Sequence, residues 1–293
     1  MSSPYVRRRR LAIELRDLRE SHGLTADDLA ARIHQSRVKI SKLENAHGRP
    51  DLADVMNILR ALEIPDKEWR HYMELATDAA RKGWWDKYGD TMGDRQRIYA
   101  DLESGAESIR EYQPGILPGI LQTEEYMREL VDRSRGGGPI KFVPERMIKA
   151  RLQRQETVLR PDGPHFEAIL DEVGLRRYHS SAEVYVPQLH HMVTLVESHP
   201  RVSLRILPLR TEPIAGLMPR APMSIYTFQD PEDPTVLVEP TVTTDLISTL
   251  PSETAHALKL YEHVRSAALS EVSSLGFLSS LADEIGDTAG STT

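Results

Sequence analysis

Residues 24–46, LTADDLAARIHQSRVKISKLENA, read as two short helices joined by a tight turn. Thr25 stands where an N-cap belongs, and Asp28 follows three residues later, the spacing at which a cap and the first turn exchange hydrogen bonds. Leu29, Ala30 and Ile33 then share one apolar face. His34 and Gln35 interrupt it, Ser36 supplies a second N-cap, and Ile40 and Leu43 return to the apolar side. Two such helices bury too little to stand alone. The flanking sequence offers cover in Leu11, Leu15 and Leu18 before them, and in Val55, Met56, Leu59 and Leu62 after them.

The outward face of the second helix carries Arg37, Lys39, Ser41 and Lys42, with no acid until Glu44. A helix entering a major groove by its N-terminus would bring Arg37 and Val38 to base edges, with Ser41 or Lys42 a turn deeper. Arg37 is the candidate guanine contact. Thr25, Gln35 and Ser36, at the helix starts, complete the expected DNA-facing set. The competing account is an ordinary solvated helix face; apolar spacing, turn and basic face together favour DNA.

Charge is distributed to match. Residues 1–50 hold 11 Lys and Arg against 6 Asp and Glu, a net of +5, while the other 243 residues hold 26 against 38, a net of −12. Only the N-terminal part suits a polyanion. The run Arg7, Arg8, Arg9 and Arg10 is either a backbone-contacting arm or the charged start of a helix, and the expectation is partial contact with DNA.

Trp69, Tyr72, Met73 and Ala76 make a packing face on a further helix that closes the bundle, so a DNA-binding domain is expected over 1–80. RKGWWDKYGDTMGD follows as a connection over 81–93; Trp84 and Trp85 are expected to pack there, with ligand binding as the alternative. A second domain, 94–285, opens with a helix to about Ser108. Next comes the apolar, proline-stiffened loop PGILPGIL, whose Ile116, Leu117, Ile120 and Leu121 are candidates for docking a partner. RSRGGGP (133–139) reads as mobile, and PERMIKARLQRQETVL as a helix. HFEAIL, RVSLRILPL, MSIYTFQ and TVLVEPTV read as strands. With VPQLHHMVTLVES as a helix and helices closing the chain, the order indicates a mixed sheet covered by helices on a face, hence an α+β fold with a frayed tail over 286–293.

The 293 residues include no cysteine, which excludes disulfides, thiolate metal sites and a cysteine nucleophile. No apolar run approaches membrane-spanning length and no signal-peptide core follows the basic start, so a soluble cytoplasmic protein without membrane contact is expected. No H-E-x-x-H, G-x-S-x-G or phosphate-binding glycine loop occurs. His190 and His191 form an ordinary surface pair rather than a metal site. The sheet domain reads as binding, not catalytic, with no cofactor.

The stretches RRRLAIELRDLRESHGLT, LTADDLAARI and SRVKISKLENAHGRPDL resemble the Xre family of helix-turn-helix regulators from Arg8 through Ile64. Where that family commonly carries a backbone-contacting Gln, this chain has Ala26, Asp27 and Asp28, so phosphate contacts are expected from backbone amides, the arginine run, and Lys39 or Lys42. ADLESGAESIREYQPGILPGILQTEEYM, ARLQRQETVL, LDEVGLRR and QLHHMVTLVESHPRVSLRILPL resemble the C-terminal domain of actinobacterial WhiJ-like Xre regulators. That resemblance implies an antitoxin-like or developmental regulator that binds a small acidic partner protein. One recognition helix reads too few base pairs to select a genomic site, so a homodimer on an inverted repeat is expected. Two other readings stay open: a small-molecule effector bound beside Trp84, Trp85 or Tyr226, and an enzyme with an appended DNA-binding module.

Overall fold

The computed structural model describes residues 2–134, 143–177, 180–210, 219–241 and 243–290. It divides into two compact units, one of Met1–Asp86 with Phe228–Pro234, the other of Lys87–Thr227 with Thr235–Thr293. The first unit thus ends a few residues later than the expected boundary at 80, and it includes a distant acidic segment that no local sequence signal assigns to it.

The first unit holds five helices, α1 (Pro4–Ser21), α2 (Ala26–Arg32), α3 (Arg37–Glu44), α4 (Leu52–Ala61) and α5 (Asp66–Ala80). Leu11, Leu15, Leu29, Ile33, Ile40, Val55, Ile58, Leu59, Leu62 and Leu75 form its core, with Leu18, Leu43, Trp69, Tyr72 and Met73 packed at the margin. Ile58 occupies the place expected of Met56, which is only half-buried. The first four helices end in the same way. After α1 the amides of Gly23 and Leu24 return to Glu20 and Arg19, and after α2 those of His34 and Gln35 return to Ala31 and Ala30. After α3, Ala46 and His47 return to Leu43 and Lys42; after α4, Glu63 and Ile64 return to Arg60 and Leu59. This paired return requires a left-handed residue, which glycine fills only at Gly23; His34, Ala46 and Glu63 adopt φ of 54°, 57° and 53°.

The second unit is built on a six-stranded sheet in the order β3-β2-β1-β4-β5-β6. Its elements are α6 (Asp94–Gly105), β1 (Ala106–Gln113), α7 (Glu124–Ser134), α8 (Pro144–Leu159), β2 (His165–Asp171), α9 (Glu172–Arg176), α10 (Ala182–Ser198), β3 (Val202–Leu207), β4 (Met223–Phe228), β5 (Val236–Pro240), β6 (Asp245–Ser248), α11 (Pro251–Ala267) and α12 (Glu271–Gly290). β1, β2 and β3 are parallel, with Ile109 opposite Phe166 and Phe166 opposite Val202. β4, β5 and β6 are antiparallel neighbours. The contacts Ser108–Thr227 and Glu111–Ser224 ascend on β1 and descend on β4, the antiparallel sense. The fold is α+β, as expected.

One sheet face carries Tyr112, Ile169, Met223, Ile225 and Leu237 against Ala257, Tyr261 and Val264 of α11. The other carries a polar group, so helices cover both faces and not one. There Glu103 of α6 receives both the Nε and an Nη of Arg154 from α8, Glu111 of β1 accepts from Ser224 at 3.3 Å, and Tyr226 of β4 is wholly buried.

Three expectations are corrected. The helix expected to reach Ser108 stops at Gly105, and β1, a strand that was not expected, follows at once. β6 was not anticipated; at four residues on a sheet edge it leaves little alternation to read. The tail expected to fray from 286 continues α12 to Gly290, with 291–293 outside the described residues. The expected mobile stretch RSRGGGP falls almost wholly outside the described residues.

Candidate nucleic-acid interface

The helix-turn-helix is fixed at its ends by its own side chains. Thr25 Oγ1 accepts from the Asp28 amide at 3.1 Å, and Asp28 Oδ2 accepts from the Thr25 amide at 2.9 Å, the reciprocal cap that opens α2. The Thr25 hydroxyl, which donates to the same Oδ2 at 2.6 Å, and then the Thr25 amide hold the Asp28 carboxyl below its usual range. Ser36 Oγ accepts from the Lys39 amide and opens α3. Thr25 and Ser36 therefore act as caps, and Gln35 supplies the backbone return that ends α2.

The far end of α3 is anchored through charge. Arg19 of α1 donates Nε to Glu44 Oε1 at 2.7 Å and Nη2 to Oε2 at 2.9 Å, with both side chains buried. The hydrogen bonds that Arg19 donates to Glu44 raise its guanidinium above its ordinary pKa. Arg16 reaches the Glu44 carbonyl and Asn45 Oδ1. Sequence reading took Glu44 for the acid that closes a basic face; in the structure it fixes the helix carrying that face.

The exposed face of α3 carries Arg37, Val38, Ser41 and Lys42, the residues expected to face DNA. Val38 is 62% exposed. Arg37, Val38, Ser41 and Lys42, with Arg16, Ala26, Glu44 and Asn45, line a shallow hollow of about 460 Å³. A second hollow of about 160 Å³, on the other side of α3, includes Gln35, Lys39, Lys42 and Arg49 in its lining. Lys39 is turned to Asp54 on α4, Nζ to Oδ1 at 2.8 Å, which makes it a brace between helices more than a phosphate contact. Arg49 was not anticipated. It is held by both oxygens of Asp86 at 2.6 Å, and Asp86 also accepts from the Gly83 amide.

The arginine run is corrected. Arg10 is buried among Glu14, Asp230 and Asp233, and Arg7 pairs with Asp230 and Asp233 at 3.1 and 3.3 Å. Arg8 donates to the Ala79 carbonyl, and Arg9 to the Tyr5 hydroxyl. These groups are spent within the unit, and carboxylates from a segment 220 residues away neutralise the charge read as a DNA arm.

The expected partner surface is corrected as well. Leu117, Ile120 and Leu121 are core residues, and only Ile116, 61% exposed, can reach a partner. Three glutamines hold carbonyls of the loop and of Gln122 that follows it. Gln122 donates to the Leu117 carbonyl, Gln155 to those of Gly119 and Gln122, and Gln188 to that of Leu121. Trp85 is buried and meets Trp84 edge to face at 5.9 Å. Tyr226 is wholly buried, and its hydroxyl has no hydrogen-bond partner among the described residues.

Among the described residues no group of three His, Asp or Glu is placed to hold a metal ion, and no helix is long and apolar enough to cross a membrane. Residues 10–71 match the family model described as a helix-turn-helix domain, and residues 96–280 match that described as a domain of unknown function, DUF5753. No curated protein and no solved structure matches the chain. The second match spans more than half of the chain, so the protein belongs to the DUF5753 family and carries a DNA-binding helix-turn-helix domain ahead of it.

Proposed function

We propose that the protein is a sequence-specific transcriptional regulator of the Xre class, similar to WhiJ-like regulators, that binds an inverted-repeat operator as a homodimer. The observation that carries this reading is the exposed face of α3. Arg37, Val38, Ser41 and Lys42 are exposed together on a helix whose two ends are locked by Ser36 and by the Arg19–Glu44 pair. A rigid helix offering a guanidinium, a methyl pair, a hydroxyl and an ammonium in two turns matches what base edges and flanking phosphates accept. The test is selection of duplexes from a random pool by the full-length chain, followed by footprinting and light scattering. An inverted repeat bound by two copies is expected. A chain that enriches no sequence, or remains one copy on its selected duplex, overturns it.

The DUF5753 domain is read as a binding domain and not an enzyme, and its ligand as a small acidic partner protein. Support comes from the resemblance to WhiJ-like regulators and from the exposed Ile116 on an otherwise anchored loop. A stiff loop docks with little ordering cost. Binding of such a partner would shift operator affinity, and the operator would shift partner affinity by the same factor.

One observation favours a small-molecule effector as the second reading. The Tyr226 hydroxyl lies unpaired in the core, near the buried carboxylates Glu103 and Glu111. A hydrogen-bonding ligand would satisfy it. Native mass spectrometry of the purified chain separates the two readings.

A further inference from the structure

Asp27 is the second residue of α2, and its Oδ2 lies 3.4 Å from Nε of Arg37, the first residue of α3, with the two side chains 69% and 70% exposed. The start of α2 does not need Asp27 as a cap, because Thr25 and Asp28 already cap each other. Ala26 beside it lines the same hollow as Arg37, Val38, Ser41 and Lys42, so Asp27 stands at the edge of the surface read above as DNA-facing. The other carboxylate at this hollow, Glu44, is taken up by Arg19.

An acid in that place has two consequences. Its charge opposes phosphate, which lowers affinity for every duplex alike. Its grip on Nε leaves the edge of the guanidinium bearing Nη1 and Nη2 for a base, and a guanine presents O6 and N7 at the spacing of such a fork. A free arginine must lose rotamer freedom on finding its base. An arginine already held at Nε loses less, and the pair strengthens as DNA excludes water from it.

We propose that Asp27 is a positioning residue for base reading, one that orients Arg37 toward guanine and gives up overall affinity for selectivity. The assignment rests on the DNA-reading role of α3 proposed above. Asp27 would also act as an acid in the first turn of a helix, which affects stability but not the choice of base.

The experiment uses the full-length chain and the duplex it selects from a random pool. Dissociation constants are measured at fixed salt for that duplex, for the duplex with the Arg37-dependent guanine replaced, and for a scrambled duplex. In D27A the scrambled duplex is bound several-fold more tightly, and the preference for guanine falls roughly tenfold, the scale of one bidentate base contact. D27N keeps an acceptor for Nε without the charge; it shares the gain on scrambled DNA and retains most of the preference. In the R37A background, D27A changes the guanine preference no further. A D27A chain that keeps the wild-type preference, or loses affinity for all three duplexes alike, overturns the assignment. A wild-type chain that selects no duplex overturns the DNA-reading role itself, which is a different result.

Discussion

Arg10 Nη1 donates to Asp230 Oδ2 at 2.8 Å, although 220 residues separate them. The same guanidinium meets Glu14 at 2.7 Å and Asp233 at 3.4 Å, and Arg7 shares both aspartates. Burial alone would lower the Arg10 pKa, yet the hydrogen bonds and charges of Glu14 and Asp230 raise it above its ordinary value. Asp233 is pushed up by its burial in spite of Arg7. Such a cluster is a poor source of net stability and a sensitive one to break.

Arg10→Met is therefore expected to destabilise the helical unit by about 2 to 3 kcal/mol, somewhat less than a buried pair with no substitute cation, because Arg7 remains beside Asp233. Asp230→Asn, at a site one-third exposed, is expected to cost only about 1 kcal/mol. Urea unfolding of the full-length chain followed by circular dichroism measures both. Since the arginine run is spent inside the unit, neither Arg8→Ala nor Arg9→Ala is expected to change the salt slope of DNA binding. A slope lowered by about one for either would return it to the phosphate-contacting set.

Arg37→Ala is expected to weaken binding to the selected duplex by about 1 to 3 kcal/mol while leaving scrambled DNA nearly unaffected, the mark of a base contact. Lys42→Ala is expected to weaken both and to reduce the salt slope by about one. Fluorescence anisotropy over a salt series distinguishes the two. Equal losses on both duplexes for Arg37→Ala would remove it from base reading.

Much of the helical unit was legible because its signals are local. Thr25 with Asp28, Ser36, and the apolar positions Leu29, Ile40, Leu59 and Leu62 fix helix starts and faces within a few residues of each other. What escaped was long-range charge. Nothing near Arg10 in sequence announces Asp230, and nothing near Arg19 announces Glu44. In the sheet, β1 was hidden by its own chemistry. Glu111 sits at an inward position where alternation calls for an apolar residue, and β1 starts at once after α6 without a connecting loop. The loop PGILPGIL was read as surface, yet three of its four apolar side chains are buried, because periodicity cannot tell an apolar loop that docks a partner from one that closes its own core.

Glu63 occupies the left-handed position after α4 at φ 53° and is exposed, as Gly23 occupies the same position after α1 at φ 68°. Glu63→Gly is expected to stabilise the unit by roughly 0.5 to 1 kcal/mol, the relief of left-handed strain less the greater chain entropy of glycine. Gly23→Ala is the converse. No atom lies within 4 Å of an added Cβ there, so the expected loss of about 1 kcal/mol would come from backbone conformation alone. Thermal unfolding of the two variants checks the pair; a Glu63→Gly chain less stable than its parent would contradict the strain account.

Glu111 gives the sheet domain a pH dependence of unusual sign. It is 7% exposed, its hydrogen bond from Ser224 is long at 3.3 Å, and the neighbouring cation Arg154 is engaged by Glu103. Burial first, and the charge of Glu103 second, push its carboxyl up to about 7, with Arg154 opposing. The groups facing it are Glu103 and Tyr99 on α6, Arg154 on α8, Gln113 on its own strand, and Ser224 and Tyr226 on β4. In the unfolded chain the same carboxyl releases its proton near 4.5. Between those two pH values the folded state holds the extra proton, so stability falls as pH rises, by about 1.4 kcal/mol per unit and roughly 3 kcal/mol in all, and then stays level above pH 7. Most paired carboxylates act the other way. Glu111→Gln keeps the shape and cannot ionise, so it is expected to match the parent near pH 4.5 and exceed it by up to about 3 kcal/mol at pH 8. Urea unfolding of parent and variant across pH 4.5 to 8 reads this group together with Glu103, whose charge is coupled to it, because the titrations remote from the cluster are common to both. A difference between the two that does not change with pH would show that the carboxyl titrates alike in the folded and unfolded chain, and a parent that gains on the variant as pH rises would show that the fold favours the charged form; either overturns the account.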